Sequence, residues 1–373
     1  MDHIKRKKIM IIHNGLVIGG MEKMITSLAN FLCEEFDVFF LLLEKKEHSF
    51  ALNKKIAVIE KNCNLNISLK SMGICASISL VRNISKEIRK YVEELIPDMI
   101  IVFNDRITFL TWLAIRELDI KLLASQRADP NDKSTWINKV LKYVYHRCDG
   151  VVFQLEQVKK YYGMTDDRCR VIPNPAFIDI KKNHPERTKK IISIGRLQYR
   201  KRMDLVILAF QEVLNKYSDY ELYIFGDGEE RNNLKELVRS LGIYDKVHFM
   251  GFVQNAAEKN LDAEMFVMAS DSEGIPNTLI EAMAAGIPCI ATDCSPGGAS
   301  FLLNHGENGI LVHKGNASEL AQGMILYIED KELKEKNTAK AQKYLENFNA
   351  NIIYDKWKIY IYEIFLENEG KQK

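Results

Sequence analysis

The stretch that decides the fold reads Ile191-Ile192-Ser193-Ile194-Gly195-Arg196-Leu197-Gln198-Tyr199-Arg200-Lys201-Arg202-Met203. Its first four residues are a short, mostly apolar run of the kind found in strands buried on both faces. Gly195 ends the run, and from 203 to 217 apolar residues return at helical spacing. Strand, loop and helix therefore follow one another here. The alternation continues with a strand at 222–225, a helix at 229–241 and strands at 247–250 and 265–268. A helix at 278–285 and a strand at 288–291 complete the series. Gly286 suits the position just past a helix, and Pro288 follows as a stop.

Toward the N-terminus the same grammar appears. Ile9-Met10-Ile11-Ile12 reads as a strand that ends in His13-Asn14-Gly15, with Gly19-Gly20 following. Met21, Met24, Ile25, Leu28, Ala29 and Leu32 then recur at helical spacing. Further strands are expected at 38–43, 99–103, 121–124 and 150–153. Ile352, Ile353, Trp357, Ile359, Tyr360, Ile364 and Phe365 mark helix near the C-terminus. Strands alternating with helices imply parallel sheets covered on both faces. The expected architecture is α/β, with two Rossmann-like doubly wound domains facing across a cleft, at 1–177 and 190–345. The polar stretch 177–190 is the expected linker. Ligands of such sheets bind outside the carboxyl ends of the strands.

Bulk properties narrow the class. At 373 residues the chain exceeds one ordinary core and fits two domains. Its 47% hydrophobic and 27% charged content is ordinary globular composition. With 52 basic and 50 acidic residues, a net charge of +2 argues against a dedicated nucleic-acid binder. Seven cysteines (33, 63, 75, 148, 169, 289 and 294) form no C-x-x-C pair. They read as small buried hydrophobes in a reducing cytosol, not as zinc ligands or a disulfide framework. The basic start Lys5-Arg6-Lys7-Lys8 precedes an apolar run too short for a secretion signal. No run approaches the ~20 apolar residues of a membrane span. The expectation is a cytoplasmic protein, with peripheral contact to a membrane surface as the other option.

Four motifs carry the chemistry. In the first, Arg196 and Lys201 lie on a strand-to-helix loop at a cleft edge, where two cations suit a diphosphate. A solvated basic loop has the same composition. In the second, Ser272-Glu273-Gly274-Ile275-Pro276-Asn277-Thr278-Leu279-Ile280-Glu281, two carboxylates stand eight positions apart. Glu281 lies in an otherwise apolar helix, so it should face a ligand or a cation. Gly274 permits close backbone approach, and the amides of Asn277, Thr278 and Leu279 open a helix where an anion is favoured. A capped helix start with exposed glutamates is the plainer alternative. The third motif is the loop from Gly15 to Gly20, which opens the first helix but is not G-x-G-x-x-G. A simple tight turn also fits it. The fourth, Phe225-Gly226-Asp227-Gly228-Glu229-Glu230, is a strand-to-helix turn with little chemistry of its own.

Taken in order, Gly195-Arg196-Leu197-x-x-x-Lys201, Gly226-Asp227-Gly228-Glu229-Glu230, Val247-x-Phe249-x-Gly251-Phe252-Val253 and Glu273-Gly274-Ile275-Pro276-Asn277-Thr278-Leu279-Ile280-Glu281-Ala282-Met283 resemble glycosyltransferase family 4. The short-start form Gly19-Gly20-Met21-Glu22-Lys23 is similar to members that build bacterial capsule, O-antigen and lipid-linked glycans. The resemblance implies a retaining, metal-independent enzyme of GT-B fold with no cofactor. It would move a hexose or N-acetylhexosamine from a nucleotide diphosphate sugar, UDP first, to a lipid-linked or polysaccharide acceptor. The N-terminal domain would take the acceptor and the C-terminal domain the donor, and a helix at 350–373 would cross back to the first domain. Arg196 and Lys201 become the diphosphate clamp. Glu281 becomes the ribose-binding carboxylate, and Glu273 lies beside the donor sugar. Phe252 and Val253 meet the nucleobase, and Gly274, Ile275, Asn277, Thr278 and Leu279 complete the donor site. Gly19 and Gly20 match the N-terminal loop that meets the donor phosphates or the acceptor.

One position departs from the family pattern. Many members carry a histidine after the strand matched by 121–124, where this chain has Ser125-Gln126-Arg127-Ala128-Asp129-Pro130. Arg127 in that slot would support the departing phosphate or the acceptor, but a guanidinium cannot act as a base. No Asp-x-Asp triplet occurs, in keeping with charge supplied by Arg196 and Lys201 in place of a divalent metal. Trp136, Ile137, Val140, Leu141, Val144 and Tyr145 share a helical face with Lys139, Lys142, His146 and Arg147 alongside. With the basic start, that helix suits an anionic membrane surface, and it equally suits packing on its own sheet. Two other functions share the fold, a nucleotide-sugar epimerase and a non-catalytic partner subunit.

Overall fold

Ile9, Met10, Ile11 and Ile12 have no exposed surface, as expected of a strand covered on both faces. The protein was described from a computed structural model, which covers residues 6–17, 19–45, 48–63, 74–177 and 185–366, with backbone alone for 74–77. Lys5, the side chain of Cys75, the linker stretch 178–184 and residues 367–373 lie outside the described residues. Contacts divide the chain into two compact units. Unit 1 comprises Met1–Arg127, Lys133–Ile172 and Ile353–Lys373, and unit 2 comprises Ala128–Asp132 and Pro173–Ile352.

Unit 1 runs β1 (Lys8–His13), α1 (Gly20–Leu32), β2 (Asp37–Leu42), β3 (Ala57–Glu60), α2 (Ile74–Leu95) and β4 (Met99–Val102). It continues α3 (Asp105–Ile115), β5 (Lys121–Ser125), α4 (Thr135–Tyr145), β6 (Gly150–Phe153), α5 (Glu156–Tyr161) and β7 (Cys169–Val171). The seven strands pair in the order β3-β2-β1-β4-β5-β6-β7, all parallel. The order reverses between β1 and β4, so the crevice of this sheet opens at their carboxyl ends. Met24, Ile25, Leu28, Ala29 and Leu32 of α1 are buried, the inward face expected from their spacing. The described part of the basic start is tied down. Arg6 donates to the carbonyls of Cys33 and Phe36, Lys7 pairs with Asp98 at 3.5 Å, and Lys8 reaches the carbonyl of Leu95.

Unit 2 runs β8 (Lys190–Ile194), α6 (Met203–Leu214), β9 (Glu221–Phe225), α7 (Arg231–Ser240), β10 (Val247–Gly251) and β11 (Met265–Met268). It continues α8 (Asn277–Ala284), β12 (Cys289–Asp293), α9 (Gly298–Leu302), β13 (Ile310–His313), α10 (Ala317–Glu329) and α11 (Lys331–Leu345). Its six parallel strands pair as β10-β9-β8-β11-β12-β13, which reverses between β8 and β11. Phe210, Met265, Val267, Ile290, Met324 and Tyr327 belong to its core. The last helix, α12 (Ala350–Leu366), completes unit 1. There Trp357 is fully buried with its ring 5.5 Å from that of Phe103. The Tyr360 hydroxyl accepts from the Val151 amide at 3.2 Å, and Glu363 pairs with Arg170 at 2.8 Å.

The sequence reading did not include β3, β7 or β13. Each lies at a sheet edge, with a neighbour on one side only, and each is three or four residues long. Edge strands need only one apolar face, so they lack the continuous run that marks an interior strand.

His13 ends β1 at the crevice of unit 1. It is 3% exposed, and its Nδ1 lies 3.1 Å from the Gly15 carbonyl, so the neutral ring donates from Nδ1. Burial pushes its pKa down from 6.5 to about 4. The neutral ring is favoured in the fold, so the stabilisation is complete above pH 6.5 and is lost as pH falls toward 4. The shift corresponds to about 3 kcal/mol. His13→Gln is expected to flatten the acid limb of stability between those pH values, measured by urea melts. An unchanged pH profile would contradict it.

Candidate active site

In unit 2 the connections after β8 and β11 leave adjacent strands at the point where strand order reverses. A crevice opens there by topology alone. Met265 pairs with Ile191, and Phe266 with Ile192. The loop 195–202 follows β8, the loop 269–276 follows β11, and 294–297 follows β12.

The loop 195–202 is held by its neighbour after β9. The Gly195 amide donates to the Phe225 carbonyl at 2.9 Å, and the Leu197 amide donates to Asp227 at 3.0 Å. The Glu230 amide donates back to the Leu197 carbonyl at 3.0 Å. A Cβ at Gly226 would stand 1.9 Å from the Gly195 oxygen, and one at Gly228 would stand 2.3 Å from that of Leu197. The chemically weak turn 225–230 is thus a backbone clamp, and only glycine fits it at those two positions. Leu197 is fully buried and anchors the loop, while Arg196 beside it is exposed.

Lys201, at the end of a short turn, places Nζ on Glu273 Oε1. The side chains are 17% and 10% exposed, so this is a nearly buried ion pair. Ser270 Oγ donates to the same Oε1 at 2.9 Å, and Thr292 Oγ1 fixes the Ser270 carbonyl at 2.7 Å. The Glu273 amide donates to the Ser295 carbonyl at 2.8 Å. Arg202 adopts φ +48° and is held by Asp204 at 2.9 Å and Asp271 at 3.5 Å. Arg200 donates to the Ser272 carbonyl at 3.4 Å. Lys201 and Glu273, 72 residues apart, are thereby brought together from neighbouring loops.

Beyond Glu273, Gly274 and Ile275 lead into α8. The Gly274 carbonyl lies where a Cβ at Gly298 would stand, at 1.5 Å. The Pro-Gly-Gly run 296–298 therefore shapes the site, although the sequence reading did not single it out. Its signal was glycine and proline directly after a strand. Ser270 was also missed, since one serine after a strand carries no pattern. No side chain caps α8, whose N-cap residue is Pro276. Asn277 and Thr278 begin the helix, and Asn277 Oδ1 accepts from Asn174 at 2.7 Å. Leu279 differs from them, because its side chain is fully buried and its amide already donates to the Pro276 carbonyl at 3.2 Å. Glu281 lies one turn in from the helix start and is half-buried. Phe252, 57% exposed, and half-buried Val253 follow edge strand β10.

In unit 1, Gly19 and Gly20 open α1 after β1, at that sheet's own crevice. The sequence reading put Arg127 beside the departing phosphate or the acceptor. In the structure its guanidinium lies inside unit 1, 5.6 Å from the Phe103 ring and 5.5 Å from that of Trp357. Its Nε donates to Ser125 Oγ at 2.7 Å. Burial pushes its pKa down to about 9, so it stays a cation at neutral pH. Cys294, near Glu273, is pushed up to about 12 by burial and is inert as a nucleophile. Among the described residues, no three His, Cys, Asp or Glu side chains gather as a metal-ligand set.

Two doubly wound units, one with a cationic loop and a buried carboxylate meeting at its switch point, have the architecture of GT-B transferases. The family model for glycosyl transferases group 1 matches residues 176–344. An uncharacterized glycosyltransferase of Haemophilus influenzae is 30% identical over 347 residues, 91% of this chain and 95% of that one. A Campylobacter jejuni α-1,4-N-acetyl-D-galactosaminyltransferase, named for a GalNAc-containing diphospho-undecaprenol substrate, is 26% identical over 96% of this chain and 99% of its own. Among solved structures, Anabaena HepE in complex with UDP aligns with a TM-score of 0.73 at 18% identity, covering 96% of this chain and all of that one. The chain belongs to the group 1 glycosyltransferases and is a glycosyltransferase enzyme of GT-B fold.

Proposed function

We propose that the chain is a retaining glycosyltransferase of bacterial surface-glycan assembly. It moves a hexose or N-acetylhexosamine from a UDP-sugar to a lipid-linked acceptor at the cytoplasmic face of the membrane. The observation that carries this reading is the Lys201–Glu273 pair at the β8/β11 switch point, with Arg196 on the same loop. The relative named for an undecaprenol-linked substrate supports the acceptor, and the UDP complex of a fold neighbour supports the nucleotide.

The donor diphosphate lies against Arg196, Lys201 and the open start of α8. On donor binding Lys201 turns part of its hydrogen bonding from Glu273 to a phosphate oxygen. As the sugar–phosphate bond breaks, negative charge grows on the diphosphate, and two fixed cations stabilise it without a divalent metal or other cofactor. Glu281 accepts from the ribose hydroxyls, and Phe252 and Val253 border the base. Glu273, held by Ser270 and Lys201, stands beside the sugar. Gly19 and Gly20 leave room for phosphate or acceptor at the crevice of unit 1. Arg127 acts as a positioning residue that fixes the loop after β5.

A thermal-shift panel of UDP- and GDP-sugars tests the reading. One nucleotide class is expected to raise the melting temperature of the wild type. Glu281→Ala and Lys201→Ala are each expected to lose most of that shift. Equal shifts in the variants would place the donor elsewhere.

A further inference from the structure

Part of the apolar stripe of α4 packs inward. Leu141, Val144 and Tyr145 are buried, Asn138 binds Tyr161 and Tyr162, and the Tyr145 hydroxyl donates to Asp105 at 2.5 Å. The packing reading therefore holds for Leu141, Val144 and Tyr145, whereas Trp136, expected on the same face, is exposed, and the face it lies on is left to be explained. Trp136, Lys139, Val140, Tyr143 and Arg147 recur at helical spacing along it. Trp136 is 67% exposed and Tyr143 50%. The Arg147 guanidinium lies 3.5 Å above the Tyr143 ring, and Trp112 meets that ring edge-on at 5.7 Å.

The charge carried by α4 itself has one sign. From Lys133 to Cys148 the sequence holds Lys133, Lys139, Lys142 and Arg147 and no acid. Lys133 is taken by Asp105 at 2.9 Å, whereas Lys139, Lys142 and Arg147 pair with no carboxylate among the described residues. Exposed tryptophan and tyrosine set among lysine and arginine that meet no carboxylate suit the headgroup layer of a bilayer, where the rings lie at the interface and the cations meet anionic lipid. A second copy is the poorer occupant, because a two-fold contact would bring cation against cation. Among the described residues no helix is long and apolar enough to cross a membrane, so contact through such a face is at the surface.

We propose that the outer face of α4, with Trp136 and Tyr143 as anchors and Lys139 and Arg147 as cations, docks unit 1 on an anionic lipid surface. This deepens the lipid-linked acceptor reading and rests on it only for its purpose. The basic start contributes less, since Arg6, Lys7 and Lys8 are bound within unit 1.

The test is cosedimentation of the full chain with vesicles of phosphatidylcholine plus phosphatidylglycerol and with phosphatidylcholine alone. Binding is expected to the anionic vesicles and to weaken from about 0.1 M to about 0.5 M salt. Trp136→Ala with Tyr143→Ala is expected to lower lipid affinity about tenfold. Lys139→Glu with Arg147→Glu is expected to lower it by about 25-fold or more, on fivefold per cation lost. Tyr244→Ala, at a 60% exposed ring of unit 2, is expected to leave it unchanged. Melting temperatures check that each variant is folded, and Lys139, on the outer face, gives a variant that disturbs no packing. Unchanged affinity in either pair overturns the proposal. So does sensitivity to charge without sensitivity to the aromatic pair, which would mean attraction to any polyanion. A change in vesicle-free sedimentation on removing Trp136 also overturns it, because the face would then join copies of the chain. Absence of vesicle binding by the wild type, with an intact UDP-induced thermal shift, strikes this surface alone. Absence of that shift in the wild type strikes the functional reading.

Discussion

Lys201→Ala is expected to lower kcat/KM for the sugar-nucleotide donor by about a thousandfold, equivalent to about 4 kcal/mol of transition-state stabilisation. The loss should fall in both KM and kcat, because Lys201 meets the bound diphosphate and also the charge that grows on it in the transition state. Truncation also strands Glu273, which is only 8% exposed and would keep Ser270 as its hydrogen-bond partner. The fold should therefore weaken as well, since a buried charge without its counter-ion is destabilising. Lys201→Ala combined with Glu273→Gln separates the two effects. The double variant is expected to regain thermal stability and none of the activity. Initial-rate kinetics on the single variant within about threefold of wild type would remove Lys201 from catalysis.

The second large effect is expected at Gly298. An added methyl group would lie 1.5 Å from the Gly274 carbonyl oxygen, so backbone must move by more than an ångström. Its φ is not in the left-handed region, so the penalty is steric alone. Gly298→Ala is expected to destabilise by about 3 kcal/mol, a fall in Tm of roughly 5–10 °C. It also displaces the loop that carries Glu273, and a shift of that size lowers kcat/KM about a hundredfold. Gly242→Ala is the contrast. Its φ is +69° with nothing within 4 Å of the new Cβ, so about 1 kcal/mol of stability is lost and activity is kept. Calorimetry and donor-turnover assays on the two variants would show whether crowding at Gly274 matters, and equal behaviour would refute it.

These two residues also show what a linear reading can reach. Ile9 to Ile12, Met99 to Val102 and Gly150 to Phe153 declared themselves because interior strands are apolar on both faces. Cys169–Val171 and Ala57–Glu60 did not, because an edge strand may be half polar. At the site, Lys201 and Glu273 were both singled out, through motif and resemblance. Their partnership was not, since it follows from β8 lying beside β11 and local spacing says nothing about strand order. Gly298 was silent for the same reason, because the atom it must avoid belongs to a residue 24 positions earlier. For α4, helical periodicity foretold the buried Leu141 and Val144. It also grouped Trp136 with them, yet that ring stays uncovered, because burial depends on what else packs nearby.

The return of α12 to unit 1 sets an order of events during synthesis. Trp357 must arrive beside Phe103, and Tyr360 beside Val151, before the sheet of unit 1 is covered. All of unit 2 from Pro173 onward is translated in between. At 5–20 residues per second, that leaves unit 1 incomplete on the ribosome for on the order of 10–40 s. Unit 2, by contrast, draws nearly all of its chain from one continuous stretch, so the nascent chain can close its second half before its first.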